Sequence, residues 1–252
     1  MHVGLITYQT GHLKTWQLMQ RLMVRSHRVS LFAFPFSLRP FVPGPFEDRP
    51  YQILDMDPKS FCNRHGLGYR EVGGWSDEHS ASLDDGGPYR KPDLFLTCIA
   101  KIIPKRFIEG RTILNCHPGL LPQNRGVDAF KWSIINGWPF GVTLHVIDEA
   151  VDRGVILHRV RVPVLPTDTL RAVADRTYQY EIDILSDFDR YLPNISKEWR
   201  VDDGFPLSKR RIARADDVRI EAMFLEWRER HVALCCDLTA QPHLADGAAA
   251  MR

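Results

Sequence analysis

The chain has 252 residues, 44% of them hydrophobic and 25% charged, which fits one large domain or a domain with a small appendage and excludes wholesale disorder. A net charge of +2 lacks the basic excess of a dedicated nucleic-acid binder. No apolar run approaches the ~18–20 residues of a membrane span, and the opening MHVGLITYQTGHLK has neither the basic nor the long apolar region of a secretory signal. Five cysteines without CxxC spacing, two of them the adjacent Cys235 and Cys236, predict a reduced, cytoplasmic chain and exclude a zinc ribbon or disulfide scaffold.

In chain order, VGLITY (3–8) is a predicted strand, LKTWQLMQRLMVR (13–25) a helix and RVSLFAF (28–34) a second strand. This β–α–β opening points to a parallel sheet with crossover helices. Residues 35–50 hold five prolines and one glycine and read as a long loop. DPKSFCNRHG (57–66) is a short helix capped near Asp57, YREV (69–72) a weak third strand, and 73–92 a polar loop around a short helix. DLFLTCIA (93–100) has the continuous apolar character of a strand buried on both faces. RTILNCHPGLLP (111–122) is a strand ending in a polar turn, and VDAFKWSIINGW (127–138) a helix with Ala129, Trp132, Ile134 and Ile135 toward the core. FGVTLHVID (140–148) and GVILHRVRVPV (154–164) form a predicted hairpin. After the capping residues 167–169, an amphipathic helix runs to about Leu192, with Leu170, Val173, Ile182, Leu185 and Phe188 on its apolar face.

The expected fold is therefore α/β, a Rossmann-like, mainly parallel twisted sheet. A catalytic domain spans 1–193 and a small, mostly helical extension 194–252. The extension contains the basic stretch SKRRIAR (208–214), read as a solvated helix end, a helix over 218–234 and a disordered tail. Its residues Ile220, Met223, Phe224, Leu225 and Trp227 serve either a dimer contact or packing on the same chain.

The chemistry is concentrated in 115–157. Asn115 and His117 are two apart on a strand and share a face. They stand at the C-terminal end of a predicted parallel strand, where open α/β sheets place their ligands. A strand-end histidine beside a carboxamide suits an acid/base group with an oxyanion donor. Asp152, in the turn of the later hairpin, can orient that histidine. His145 and His158 read as packing residues, and Cys116 as buried and inert. A metal set of His117, His145 and Asp152 lacks compact ligand spacing, and no G-x-G-x-x-G follows the first strand.

The pattern Asn-x-His-Pro-x-Leu-Leu-Pro, Arg-Gly, Gly-Val-Thr-x-His and Asp-x-Gly-x-Ile-Leu resembles the folate-dependent formyltransferase family. The resemblance is strong from about Pro92 to Pro163, weaker over 1–91, and does not reach 194–252. It implies that Asn115, His117 and Asp152 are catalytic. They would stabilise an oxyanion and shuttle a proton while a formyl group passes from N10-formyltetrahydrofolate to an amine, with no metal. It implies a folate pocket of Lys101, Ile102, Ile103 and Phe107, completed by Asp148, Glu149 and Ala150; Arg125 serves either a phosphate or sugar hydroxyl of the acceptor or a structural bond to turn carbonyls. Two positions depart from the family: Gly119 stands where a small polar residue often follows His-Pro, and Asn124 where a tyrosine precedes Arg-Gly.

Three acceptor branches are disfavoured. The segment 194–252 is too short and strand-poor for the barrel of the methionyl-tRNA branch, and TYQTGHLKT lacks the Ser/Gly-rich phosphate loop of the glycinamide-ribonucleotide branch. The chain also begins at its first strand, without the regulatory domain of the formyltetrahydrofolate hydrolases. The resemblance thus implies the sugar N-formyltransferase branch, with a nucleotide-linked amino deoxy sugar as acceptor. The suggested acceptor is the 4-amino group of GDP-perosamine, for surface O-antigen synthesis, and the enzyme would be a homodimer. The loops 35–50 and 73–92 would be lids. A glycinamide-ribonucleotide-type transformylase and a catalytically silent nucleotide-sugar binding protein are the alternatives.

Overall fold

The computed structural model describes residues 1–36, 44–85, 90–197 and 208–236. Its first half runs β1 (His2–Tyr8), β2 (Gly11–His12), α1 (Leu13–Val24), β3 (Arg28–Phe34), β4 (Ile53–Leu54), α2 (Pro58–His65), β5 (Gly68–Glu71), a 3-10 segment (Asp77–Asp84), β6 (Leu94–Thr97) and α3 (Lys105–Ile108). The second half runs β7 (Ile113–His117), α4 (Ala129–Ile135), β8 (Gly141–Val146), β9 (Ile156–Arg161), α5 (Leu170–Ser186), α6 (Phe188–Tyr191), a 3-10 segment (Leu192–Lys197), α7 (Arg214–Asp217) and α8 (Ile220–Cys236).

Seven strands form one sheet in the order β5-β3-β1-β6-β7-β8-β9. The first five are mutually parallel, while β8 runs antiparallel to both β7 and β9. Strand order reverses beside β1, so the C-terminal ends of β1, β6 and β7 open onto one edge, the usual ligand position of such sheets. Both faces of β1 are covered. Val3 and Leu5 pack toward α1 and α5 with Leu18, Leu22 and Ile182. Ile6 packs on the opposite face with Phe32, Phe34, Phe95 and Phe107. Gly4 sits where the Phe95 ring crosses the strand; a Cβ there would lie 2.5 Å from the ring.

Helix boundaries follow local chemistry. The Asp57 carboxylate accepts from the Lys59 and Ser60 N–H groups at 3.1 and 3.0 Å and starts α2, and the Thr169 hydroxyl accepts from Ala172 N at 3.1 Å and starts α5. The five predicted apolar positions of the long helix are all buried, but α5 ends at Ser186 and the chain continues as α6 and a 3-10 turn. The strands expected over 93–100 and 111–122 are shorter, 94–97 and 113–117. In α4, only seven residues long, Phe130 and Ile134 are buried while Trp132 and Ile135 are half-buried. Trp132 turns out to donate its indole N–H to Arg210 O at 2.8 Å. The stretch 208–214 is not a helix end: Lys209 bridges to Gly126 and Ile212 is buried.

A third apolar cluster joins the extension to the sheet domain. Ile220, Phe224 and Trp227 of α8 pack with Phe130, Ile134 and Phe140. Packing on the same chain accounts for the burial of Ile220, Phe224 and Trp227, with Met223 half-buried against them, while Leu225 is 50% exposed. Parts of both expected lids, 37–43 and 86–89, and the C-terminal tail lie outside the described residues. The rest of the first loop is tied down: Phe46 packs in the third cluster and Arg49 pairs with Glu181 at 2.8 Å.

Candidate functional site

One cavity of about 580 Å³ opens at the C-terminal ends of β1, β6 and β7. Asn115, His117 and Asp152 all line it. Strand alternation puts Asn115 and His117 on the same face, with the buried Cys116 pointing away; burial pushes the Cys116 thiol well above its ordinary value.

One ring nitrogen of His117 is fixed by a hydrogen bond. Its Nε2 lies 2.7 Å from Asn124 O. A carbonyl only accepts, so Nε2 carries the hydrogen and Nδ1 is the nitrogen left to exchange a proton. That Nδ1 faces Asp152 Oδ2 at 3.5 Å. Asp152 has φ +52, a left-handed backbone that aspartate tolerates better than most residues. Its Oδ2 accepts from the Gly126 N–H at 2.9 Å. Burial alone would raise this carboxyl, but the neighbouring His117 and His145, the Gly126 N–H and Arg125 outweigh it and hold it below its ordinary value.

His145, read from sequence as a packing residue, belongs to this cluster. It pairs directly across from Asn115 in the antiparallel β7–β8 ladder. Its Nδ1 lies 3.1 Å from Val146 O and so carries the hydrogen, leaving Nε2 to accept from Asn115 Nδ2 at 3.2 Å. Burial keeps the ring below its ordinary pKa and therefore neutral, despite Asp152 Oδ1 at 3.6 Å. The bond uses one hydrogen of the Asn115 amide and fixes the plane of the other. Two residues apart on one strand, Thr143 and His145 share a face. Thr143 Oγ1 donates to Gly119 O at 2.7 Å and pins the turn after His117.

The residues expected in a folate pocket divide. Lys101, Ile102, Ile103, Asp148, Glu149 and Ala150 line the cavity. Ile103 is buried, and Ile102 is 68% exposed at the lip. Phe107 is fully buried among Ile6, Phe34 and Ile103, in the core behind that wall. Glu149 pairs with Lys105 at 2.6 Å in an exposed contact worth little in water. Arg125, read either as an acceptor contact or as a bond to turn carbonyls, makes such a bond: its Nε and Nη2 donate to Val151 O at 3.2 and 2.7 Å.

Sequence reasoning missed the cavity floor. Lys14, from α1, donates to Glu181 Oε1 at 2.5 Å while Arg49 donates to Oε2 at 2.8 Å. Glu181 is 1% exposed. Burial alone would raise it, but the two cations hold it below its ordinary value. His12 lies alongside, lowered to about 4 by burial and by Lys14 and Arg49. A second buried pair joins Lys131 Nζ to Asp217 Oδ1 at 2.7 Å, and Lys131 and Arg211 both line the cavity.

With this geometry in hand, residues 69–188 match the formyl transferase family. A phosphoribosylglycinamide formyltransferase of Haemophilus influenzae is 36% identical over 87 residues, 33% of this chain and 41% of that protein. A GDP-perosamine N-formyltransferase of Brucella melitensis is 39% identical over 82 residues, 31% of this chain and 32% of that protein. The matches thus span less than half the length of these curated relatives. Among solved structures, a sugar N-formyltransferase from a Shewanella species superposes with a TM-score of 0.55 at 22% identity, covering 88% of this chain and 87% of the other, a likeness of fold. Among the described residues, no helix is long and apolar enough to cross a membrane.

Proposed function

We propose that the chain, whose residues 69–188 match the formyl transferase family, transfers a formyl group from N10-formyltetrahydrofolate to the amino group of a nucleotide-linked amino deoxy sugar, with GDP-perosamine the first acceptor to try. The observation that carries the reading is the joint placement of Asn115, His117 and Asp152 along one cavity, with one Asn115 amide hydrogen and His117 Nδ1 outside the bonds to His145 and Asn124. The Brucella relative's acceptor supports the choice of sugar.

The cavity suits the donor. Ile99, Ile103 and Ile147 offer an apolar wall for a flat ring, and the turn at Asp148–Ala150 offers backbone groups to its polar edge. The donor supplies an activated formyl carbon whose oxygen gains charge as the amine adds. Asn115 presents its second amide hydrogen to that oxygen, in a fixed plane because His145 holds the first. His117 Nδ1 takes the proton lost by the attacking nitrogen and returns one to the departing nitrogen. Asp152 balances the charge that the imidazole then carries, so no proton needs to reach solvent. The reading includes a cytoplasmic homodimer.

The test incubates the protein with N10-formyltetrahydrofolate and GDP-, dTDP- and UDP-linked amino sugars. It follows tetrahydrofolate release together with the gain of one formyl mass on the sugar. Formylation of one sugar is expected, with His117→Asn slowing it by at least ~10²-fold at little cost in stability. Transfer to glycinamide ribonucleotide alone would place the chain with the Haemophilus relative's chemistry instead. Tight sugar binding without any transfer would mark a binding protein.

A further inference from the structure

The short loop that holds the reacting groups is itself held by the C-terminal extension. Lys209 pairs in parallel with Gly126: its N–H donates to Arg125 O at 2.7 Å, and its carbonyl accepts from Val127 N at 3.2 Å. Three side-chain contacts continue the attachment. Trp132 donates to Arg210 O at 2.8 Å, Ile212 N donates to Asp128 Oδ2 at 3.0 Å, and Lys131 meets Asp217 at 2.7 Å. Gly126 has φ +97, and a Cβ on it would stand 2.2 Å from Lys209 O. Only glycine allows the two backbones to approach this closely.

The opposite side of the same loop carries the site. Asn124 O accepts from His117 Nε2, the Gly126 N–H holds Asp152 Oδ2, and the Arg125 guanidinium holds Val151 O beside it. Residues 124–126 therefore lie between the extension on one side and the imidazole and carboxylate on the other. Arg211, from the same stretch, lines the cavity.

We propose that residues 208–217 are a positioning strap: the Lys209 bridge fixes the backbone of 124–126 and, through it, sets Asp152 and His117 at their working separation. Helix α8 is anchored independently by Phe224 and Trp227, both buried against Phe140. The kinetic half of this inference rests on the proposed formyl transfer; the structural half does not.

The test compares Lys209→Pro, which deletes the N–H given to Arg125 O, with Lys209→Ala, which keeps it. Two readouts are taken on the full chain: hydrogen exchange at the Gly126 amide, and kcat and KM for the preferred acceptor. Lys209→Pro is expected to speed exchange of the Gly126 amide and to lower kcat about 10–100-fold with KM nearly unchanged, the scale of a small misplacement of reacting groups. Lys209→Ala is expected to keep both close to the parent. Unchanged exchange in Lys209→Pro, or lost protection with kcat intact, would overturn the strap. If the parent transfers no formyl group, the functional reading fails, and the Gly126 amide alone decides whether the strap holds the Asp152 contact. Should Lys209→Pro not fold, Trp132→Phe removes the neighbouring bond to Arg210 O and is expected to shift both readouts in the same direction by less.

Discussion

The edge and the floor of the cavity are built from similar residue types and do different things with them. On the floor, Lys14 and Arg49 share the two oxygens of Glu181 at 2.5 and 2.8 Å. At the edge, the carboxylate of Asp152 stands 3.5 and 3.6 Å from two imidazoles, and a backbone N–H takes one of its oxygens. The floor leaves its one anion saturated. The edge leaves His117 Nδ1 and one Asn115 hydrogen with bonding capacity to spare. Chemistry is marked by that spare capacity inside a sheltered site, and buried charge density alone does not mark it.

The sharpest way to break this contrast is to remove the floor's anion. Glu181→Gln leaves two cations facing a neutral amide at a site only 1% exposed on the Glu181 side. Removing one partner of a buried pair typically costs about 3–5 kcal/mol. Because Arg49 is 36% exposed on its side chain, the lower end is expected here. Urea unfolding at neutral pH measures it. A loss well below 1 kcal/mol would mean that water already screens the pair and that floor and edge are not different in kind. His117→Asn is the complement, with a large loss of rate and little loss of stability.

Acid sharpens the comparison next. His12 is buried beside the floor cations, and its value in the fold is about 4 against 6.5 for the free side chain. The folded state thus binds this proton less readily than the unfolded chain. The stabilisation it gives is complete above about pH 6.5 and is lost as pH falls toward 4, reaching about 3 kcal/mol. His2, His27 and His145 are also lowered, chiefly by burial, and add to the same slope. Unfolding free energies at pH 7 and pH 4.5 for the parent and His12→Gln isolate the His12 share. The variant should lose less on acidification; equal losses would show that His12 is solvated.

The sequence made some of this visible because strand alternation and capping are local rules. Asn115 and His117 on one face, Asp57 and Thr169 at helix starts, and the hairpin at 141–161 all follow from neighbours in the chain. Asp152 required the spacing of a whole motif, since a turn has no face of its own. The missed features are non-local. Lys14 and Glu181 are 167 residues apart, and Glu181 occupies a buried position of an otherwise amphipathic helix. The Gly126–Lys209 bridge joins backbones, and backbone pairing across 83 positions leaves no side-chain pattern. His145 looked like one more apolar-face residue until its register opposite Asn115 was known.

The smallest expected effect concerns Gly119. A Cβ there would meet Asn124 O at 2.8 Å, His117 Nε2 at 2.9 Å and Ala129 Cβ at 3.1 Å. Two of these three atoms are the two ends of the bond that fixes the His117 tautomer. A serine, the residue type that the formyltransferase resemblance suggests for this position, therefore has no room while that bond is 2.7 Å long. Either the imidazole shifts or the turn after it moves away from Asn124. The turn is held by Thr143, whose hydroxyl donates to Gly119 O and accepts from Leu121 N. The imidazole is the looser partner, with only a 3.5 Å contact on its far side. Gly119→Ser is accordingly expected to lower kcat about tenfold with KM little changed, because a displaced proton carrier affects the chemical step more than binding. Unchanged kcat with a marginal loss of stability would show that the turn yields and the histidine stays. The edge of the cavity would then be the more rigid of its two ends.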